Sequence, residues 1–145
     1  MTFACFWHCV AGKGHYVEMA KSDQSAGNRA RLISPYLNTT NKCLELYYWM
    51  RTEHSHRPNQ AEHTRKLTQL SIMVVSEEQE ETTVIHVSGS TVDFMRLFTH
   101  LPAGVHRLVI EGRRDSLKLE SALSIDDVAV MDCSRFGMFK SRTFY

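Results

Sequence analysis

Four cysteines, eight histidines and a run of acidic residues are the groups in this chain that could bind metal or act on a substrate. Cys5, Cys9, Cys43 and Cys133 allow two disulfides in three connectivities, or none in a reducing compartment. Zinc is the competing use of thiols. His54, His56 and His63 stand close together in HSHRPNQAEH, but no C-x-x-C pair accompanies them and the segment reads as a solvated loop. Hydrolytic chemistry needs an activated nucleophile, and the sequence carries no G-x-S-x-G elbow, no H-E-x-x-H and no phosphate loop. The run Glu77-Glu78-Gln79-Glu80-Glu81 could be imagined as a calcium patch, yet consecutive carboxylates between two strands are the mark of a solvated turn. Catalysis is therefore not expected.

The elements that position these groups follow from patterning. Apolar and β-branched residues alternate in short runs separated by Gly, Pro, Asn and Ser, which predicts strands over 15–20, 29–34, 43–51, 67–76, 82–87, 93–97, 104–112 and 124–132. The third is the clearest: Leu44, Leu46, Tyr48 and Met50 share one face, while Cys43, Glu45, Tyr47 and Trp49 share the other. Tyr47 and Trp49 are thereby candidates for an exposed binding patch, and Tyr48 is sent inward. In Val105 to Glu111 both faces carry apolar and polar groups, so the burial direction stays open. Pro35 ends its strand or confines it to a sheet edge, because proline has no N–H for a ladder. Val92, Met95, Phe98 and Leu101 also fit a helical spacing, so 91–101 has a helix as its alternative. Residues 52–66 form a long unpatterned stretch, the signature of a functional or a freely varying loop.

The chain has 145 residues, 43% of them apolar and 23% charged, which is enough for one domain that buries about 70% of its unfolded surface. Eight strands in one domain cannot lie in a single open sheet without exposing a large apolar face. Two packed antiparallel sheets are expected. A formal net charge of +1 gives no ground for a nucleic-acid partner, and no apolar run is long enough to span a bilayer. The opening MTFACFWHCV lacks the basic start of a signal peptide and is cut short by Gly12 and Gly14. Asn38-Thr39-Thr40 is an acceptor sequon for N-glycosylation, placed where exposure is expected.

Four blocks in order resemble the MAM family, the extracellular module of meprins, neuropilins and receptor tyrosine phosphatases of the mu type. Gly14-His15-Tyr16-Val17 with Gly27-Asn28-Arg29-Ala30-Arg31-Leu32-Ile33-Ser34-Pro35 is similar to its G-H-Y and A-R-L-x-S-P strands. Cys43-Leu44-Glu45-Leu46-Tyr47-Tyr48-Trp49-Met50 resembles C-L-x-F-x-Y-x-M. Leu101 to Gly112 (LPAGVHRLVIEG) resembles the strand ending in F-E-G, and Ala122-Leu123-Ser124-Ile125-Asp126-Asp127-Val128 the A-L-D-D-I block, with Cys133 following. The resemblance spans about residues 12–135, leaving 1–11 as a divergent N-terminal segment and 136–145 as a tail.

The resemblance implies an all-β, jelly-roll-like β-sandwich, an extracellular or cell-surface setting, and non-catalytic adhesion or protein association within a larger multidomain protein. The partner would be a protein, a second copy of the chain included. A carbohydrate- or ligand-binding sandwich is the alternative, since lectins share the jelly roll. The resemblance also implies a Cys43–Cys133 bridge, closing 90 residues (133 minus 43), for which chain entropy gives at most about 4.6 kcal/mol. Asp126 and Asp127 match a block beside which some members hold a cation, and carboxylate oxygens suit calcium or sodium. No other cofactor is implied. The opening Phe3-Ala4-Cys5-Phe6-Trp7-His8-Cys9 does not reproduce the family's first strand, so that strand is expected to be lost or rewritten, and if it is lost its neighbour would present a bare edge. A second bridge, Cys5–Cys9, requires a tight turn, since extended chain would hold the pair about 13 Å apart against a limit near 7 Å.

Overall fold

The computed structural model describes residues 7–12, 14–19, 29–52, 67–114 and 122–135. Nine strands account for most of them: β1 (Trp7–Gly12), β2 (Gly14–Met19), β3 (Arg29–Asn38), β4 (Lys42–Arg51), β5 (Gln69–Ser76), β6 (Glu81–Ser88), β7 (Met95–His100), β8 (Val105–Arg113) and β9 (Ala122–Asp132). They form a five-stranded sheet in the order β1-β2-β9-β4-β7 and a four-stranded sheet in the order β3-β8-β5-β6, each antiparallel throughout. No α-helix occurs among the described residues. The all-β sandwich expected from the alternation is the observed fold.

Its core lies between the sheets. Leu44, Leu46 and Met50 of β4, Leu97 of β7, and Leu123 and Ile125 of β9 meet Leu70, Ile72 and Val74 of β5 and Leu108 and Ile110 of β8, all buried. Tyr48 packs partly buried against them, as the alternation of β4 requires. Fully burying such a side chain is worth roughly 1.5–3 kcal/mol. β8 runs through the middle of its sheet and is buried on both faces over Leu108–Gly112, which is why its sequence shows no clean alternation.

Two local features resolve ambiguities of the sequence. Pro35 sits inside β3, one of the two edge strands of its sheet, at a register shift between Ile33 and Tyr36. The Leu108 N–H there donates to Ser34 Oγ at 2.9 Å, so a side chain takes the ladder bond displaced at the bulge. Residues 91–101 are not a helix. Met95–His100 pairs with β4 from Cys43↔His100 to Tyr48↔Met95, burying Leu97 while Val92 stays 93% exposed, so the three-to-four spacing marks no apolar face. The strand expected at 93–97 thus starts two residues later and runs to His100.

The acidic run is the turn it was read as: Gln79 N–H donates to Ser76 O, Ser76 N–H to Glu80 O, and Glu77 to Glu81 are exposed. Of the two expectations for the opening strand, lost or rewritten, the loss is the one to correct. Trp7–Gly12 forms β1 and pairs with β2 from Trp7↔Met19 to Gly12↔Gly14, so the edge of β2 is covered rather than bare. Cys5, the side chain of Cys9, residues 53–66 with His54, His56 and His63, and the tail 136–145 lie outside the described residues.

Cys43, at the start of β4, is bonded to Cys133 just beyond β9, with Cα atoms 5.1 Å apart. β4 and β9 are also paired directly from Lys42↔Asp132 to Arg51↔Ala122. The bond therefore closes one end of a ladder already formed and joins residues 90 apart in sequence. Replacing both cysteines, Cys43→Ser with Cys133→Ser, is expected to lower the unfolding free energy by about 2–5 kcal/mol in urea titrations while leaving the β-sheet circular dichroism in place. An unchanged midpoint would show that the bond does not constrain the unfolded chain.

Candidate functional site

The outward residues of β4 fix a band of side chains across the five-stranded sheet. Directly paired residues share a face, so Cys43 lies beside His100, Glu45 beside Phe98, and Tyr47 beside Arg96 on one flank and Asp126 on the other. Further along, Trp49 pairs with Ser124 and Ser124 with Glu18, which sets β4, β9 and β2 side by side. Both sequence-selected aromatics, Tyr47 and Trp49, are half-buried on this outer face.

One end of the band is held rigid. His100 Nδ1 is 3.4 Å from each sulfur of the bridge, and the Phe98 ring meets the His100 ring edge-on at 6.0 Å between centroids. Arg96 sits over Phe98 at 5.9 Å and its Nη2 donates to Glu45 Oε2 at 2.7 Å. The Glu45 hydrogen bond raises the Arg96 pKa. Below the band's end, Lys42 Nζ donates to Asp132 at 2.5 Å, a hydrogen bond that lowers the Asp132 pKa.

Cys43, His100 and Cys133 are the group of potential metal ligands that comes together among the described residues. Zinc binds thiolates, and here each sulfur is spent on the other, so the group is a covalent staple with an imidazole against it. Asp126 and Asp127 occupy a bulge in β9, where the register jumps from Tyr47↔Asp126 to Glu45↔Ala129. Asp127 takes a left-handed backbone, φ 48°, and its N–H donates to Asp126 Oδ1 at 2.8 Å. Among the described residues no third carboxylate, imidazole or thiol gathers with them at ligand distance.

The other end of the band is a hollow of about 340 Å³ lined by Glu18, Trp49, Val92, Asp93, Phe94 and Ser124. Its wall is the segment between β6 and β7, which is fastened to the end of β4. Thr91 N–H donates to Met50 O at 2.8 Å, Met50 N–H to Thr91 Oγ1 at 3.1 Å, and Thr52 N–H to Ser90 Oγ at 2.8 Å. Thr52 Oγ1 donates to Gly89 O at 2.7 Å and accepts the buried Thr68 N–H at 3.1 Å. Gly89 has φ +115°, a conformation that side chains rarely adopt. Side-chain hydroxyls and backbone together hold this wall of the hollow in place. Sequence reasoning found Trp49 through alternation but not Glu18, Asp93 or Phe94, whose approach depends on strand order and on this fastened segment.

The outer face of the four-stranded sheet is of a different kind. Glu111, its side chain 10% exposed, accepts from Arg29 Nε and Arg31 Nε, each at 2.6 Å, and Arg31 reaches on to Glu81 at 2.9 and 3.1 Å. Burial works against the Arg31 guanidinium, but its hydrogen bonds to Glu111 and Glu81 outweigh that and raise its pKa. Arg107 stacks over the Tyr36 ring at 4.5 Å. These charges are largely committed to one another. Asn38, at the end of β3, is exposed, with Oδ1 accepting the Thr40 N–H at 3.0 Å. Thr39 is buried, its Oγ1 within 3.0 Å of Pro102 O, Gly104 O and His106 Nδ1.

The chain matches the family model of the MAM domain, meprin/A5/mu, over residues 6–134. It belongs to that family. No curated protein matches the chain. MAM domains are non-catalytic extracellular modules of adhesion and protein interaction, which agrees with the sandwich and its bridge. No helix among the described residues is long and apolar enough to cross a membrane.

Thr52→Val removes the fastening hydroxyl with its bonds to Gly89 O and the Thr68 N–H, and should cost about 1–3 kcal/mol in urea unfolding. Amide exchange at Thr68 and Thr91 should quicken and the Trp49 indole resonance should move. Wild-type stability with an unmoved indole would mean that the segment is held by other contacts.

Proposed function

We propose that this MAM domain is a non-catalytic extracellular adhesion and association module, part of a cell-surface or secreted multidomain protein, and that it makes contact through the outer face of β4 around Tyr47 and Trp49. The family match over residues 6–134 carries the reading. The choice of face rests on chemistry. Tyr47, Trp49 and the 42%-exposed Phe94 put aromatic area beside a preformed hollow, and aromatic anchors in pockets dominate interface energetics. The opposite outer face offers charges already neutralised by partners, which would have to be broken and desolvated on docking. The partner is a protein, and a second copy of the chain is the first to test.

A carbohydrate ligand is the second reading, favoured by one observation: an indole bordering a hollow that also holds a hydroxyl and two carboxylates. A glycan array on which the wild type binds and Trp49→Ala does not would establish it.

Beads coated with the secreted domain, or with its parent ectodomain, should aggregate or capture partner-bearing cells, and Trp49→Ala should reduce this by at least tenfold, the range of an interface hot spot. Equal capture by both proteins would place the contact elsewhere. Secretion also bears on Asn38, whose exposed side chain is open to glycosylation. Protein from a secretory host should lose one glycan's mass on Asn38→Gln, and an unmodified Asn38 in fully secreted protein would contradict that assignment.

A further inference from the structure

The hollow beside Trp49 has a composition that selects its occupant. Two aromatic rings, Trp49 and Phe94, and two carboxylates, Glu18 and Asp93, line it, together with Val92 and Ser124. None of these described lining residues is a Lys, Arg or His. The basic residues on the neighbouring strand positions are placed otherwise: Arg96 is bonded to Glu45, and Arg51 lies two positions beyond Trp49 on β4, outside the lining. The register brings Glu18, Ser124 and Trp49 into one row, and the hydrogen bonds of Thr91 and Thr52 hold the Val92 to Phe94 wall against it.

We propose that this hollow receives a cationic side chain, arginine or lysine, from a protein partner. The proposal rests on the association role given above and names the chemistry of its central contact. An aromatic face attracts a cation through its quadrupole, and two carboxylates at the same rim supply the counter-charge and the acceptors for N–H donors. A neutral sugar would satisfy the indole but leave two carboxylates to be partly desolvated without a compensating charge. Size agrees. At about 340 Å³ the hollow is at the small end of ligand sites, suited to the end of one long side chain and not to an extended chain of residues or sugars. Val92, 93% exposed at its edge, is apolar surface over which the methylene stem of such a side chain can lie.

The test uses the whole chain labelled with ¹⁵N, which has two indole N–H signals, Trp7 and Trp49, separated by a Trp49→Phe variant. N-acetyl-arginine amide is titrated in, with the citrulline analogue as its uncharged isostere and methyl glycosides as the sugar control. The expected result is a saturable movement of the Trp49 signal with the arginine and lysine amides, none with citrulline, and a five- to tenfold weakening, about the worth of one solvent-accessible hydrogen bond, in Glu18→Gln and in Asp93→Asn. Raising the salt should weaken binding further. Equal movement with citrulline, movement with glycosides alone, or no saturable movement overturns the proposal. Bead capture separates this from the broader reading. If Trp49→Ala abolishes capture while the arginine amide leaves Trp49 unmoved, the contact face stands and the cationic occupant falls. If the arginine amide binds while capture ignores Trp49, the chemistry of the hollow stands and the contact face falls.

Discussion

The pairing of β4 with β9, closed at one end by the Cys43–Cys133 bond, is the constraint on which the remaining structure depends. β4 lies inside its sheet with β9 on one side and β7 on the other, and β9 in turn carries β2. The inward residues of these strands supply half the core, and the outward ones supply the band that ends at Trp49. A one-residue slip in this ladder would exchange the two sets and turn Leu44 and Leu46 toward water. The covalent link at one end and the bulge at Asp126 and Asp127 together pin the register.

From that register follows the contrast between the two outer faces. On the five-stranded sheet, Arg96 is matched to Glu45 near the bridge, while at the far end Glu18 and Asp93 line a hollow to which the described residues contribute no cationic side chain. On the four-stranded sheet Glu111 holds Arg29 and Arg31, and Arg31 also holds Glu81. Among the described residues the ion pairs gather on one outer face and near the bridge on the other, away from the hollow. The net figure of +1 says nothing of this uneven placement of charge among the described residues.

How much of this could be read from the residues depends on the range of the interaction involved. The inward and outward sets of β4 were legible because alternation is a property of one strand, and the acidic turn was legible because its bonds close within Ser76 to Glu80. From its missing N–H alone Pro35 was read as ending its strand or confining it to an edge, and the structure has the second, with the Ser34 hydroxyl taking over at the bulge in a way that could not be foreseen. The strand at 93–97 was legible in part, and its helical alternative falls because Val92 and Met95 are apolar but exposed and the pairing with β4 decides the matter. β1 was missed since its residues depart from the family's motif while still pairing with β2 through the backbone, which is indifferent to side-chain identity. The hollow was out of reach for the same reason in reverse: Glu18, Trp49 and Asp93 are distant in sequence and meet only through strand order.

The most direct measurement is peptide mapping of the secreted protein by mass spectrometry after digestion without reductant and with free thiols blocked. A single linked pair of peptides containing Cys43 and Cys133, cleaved to two by reduction, is the result that the β4–β9 clasp requires. Recovery of both cysteines as blocked free thiols, or of either one linked to Cys5 or Cys9, would contradict it.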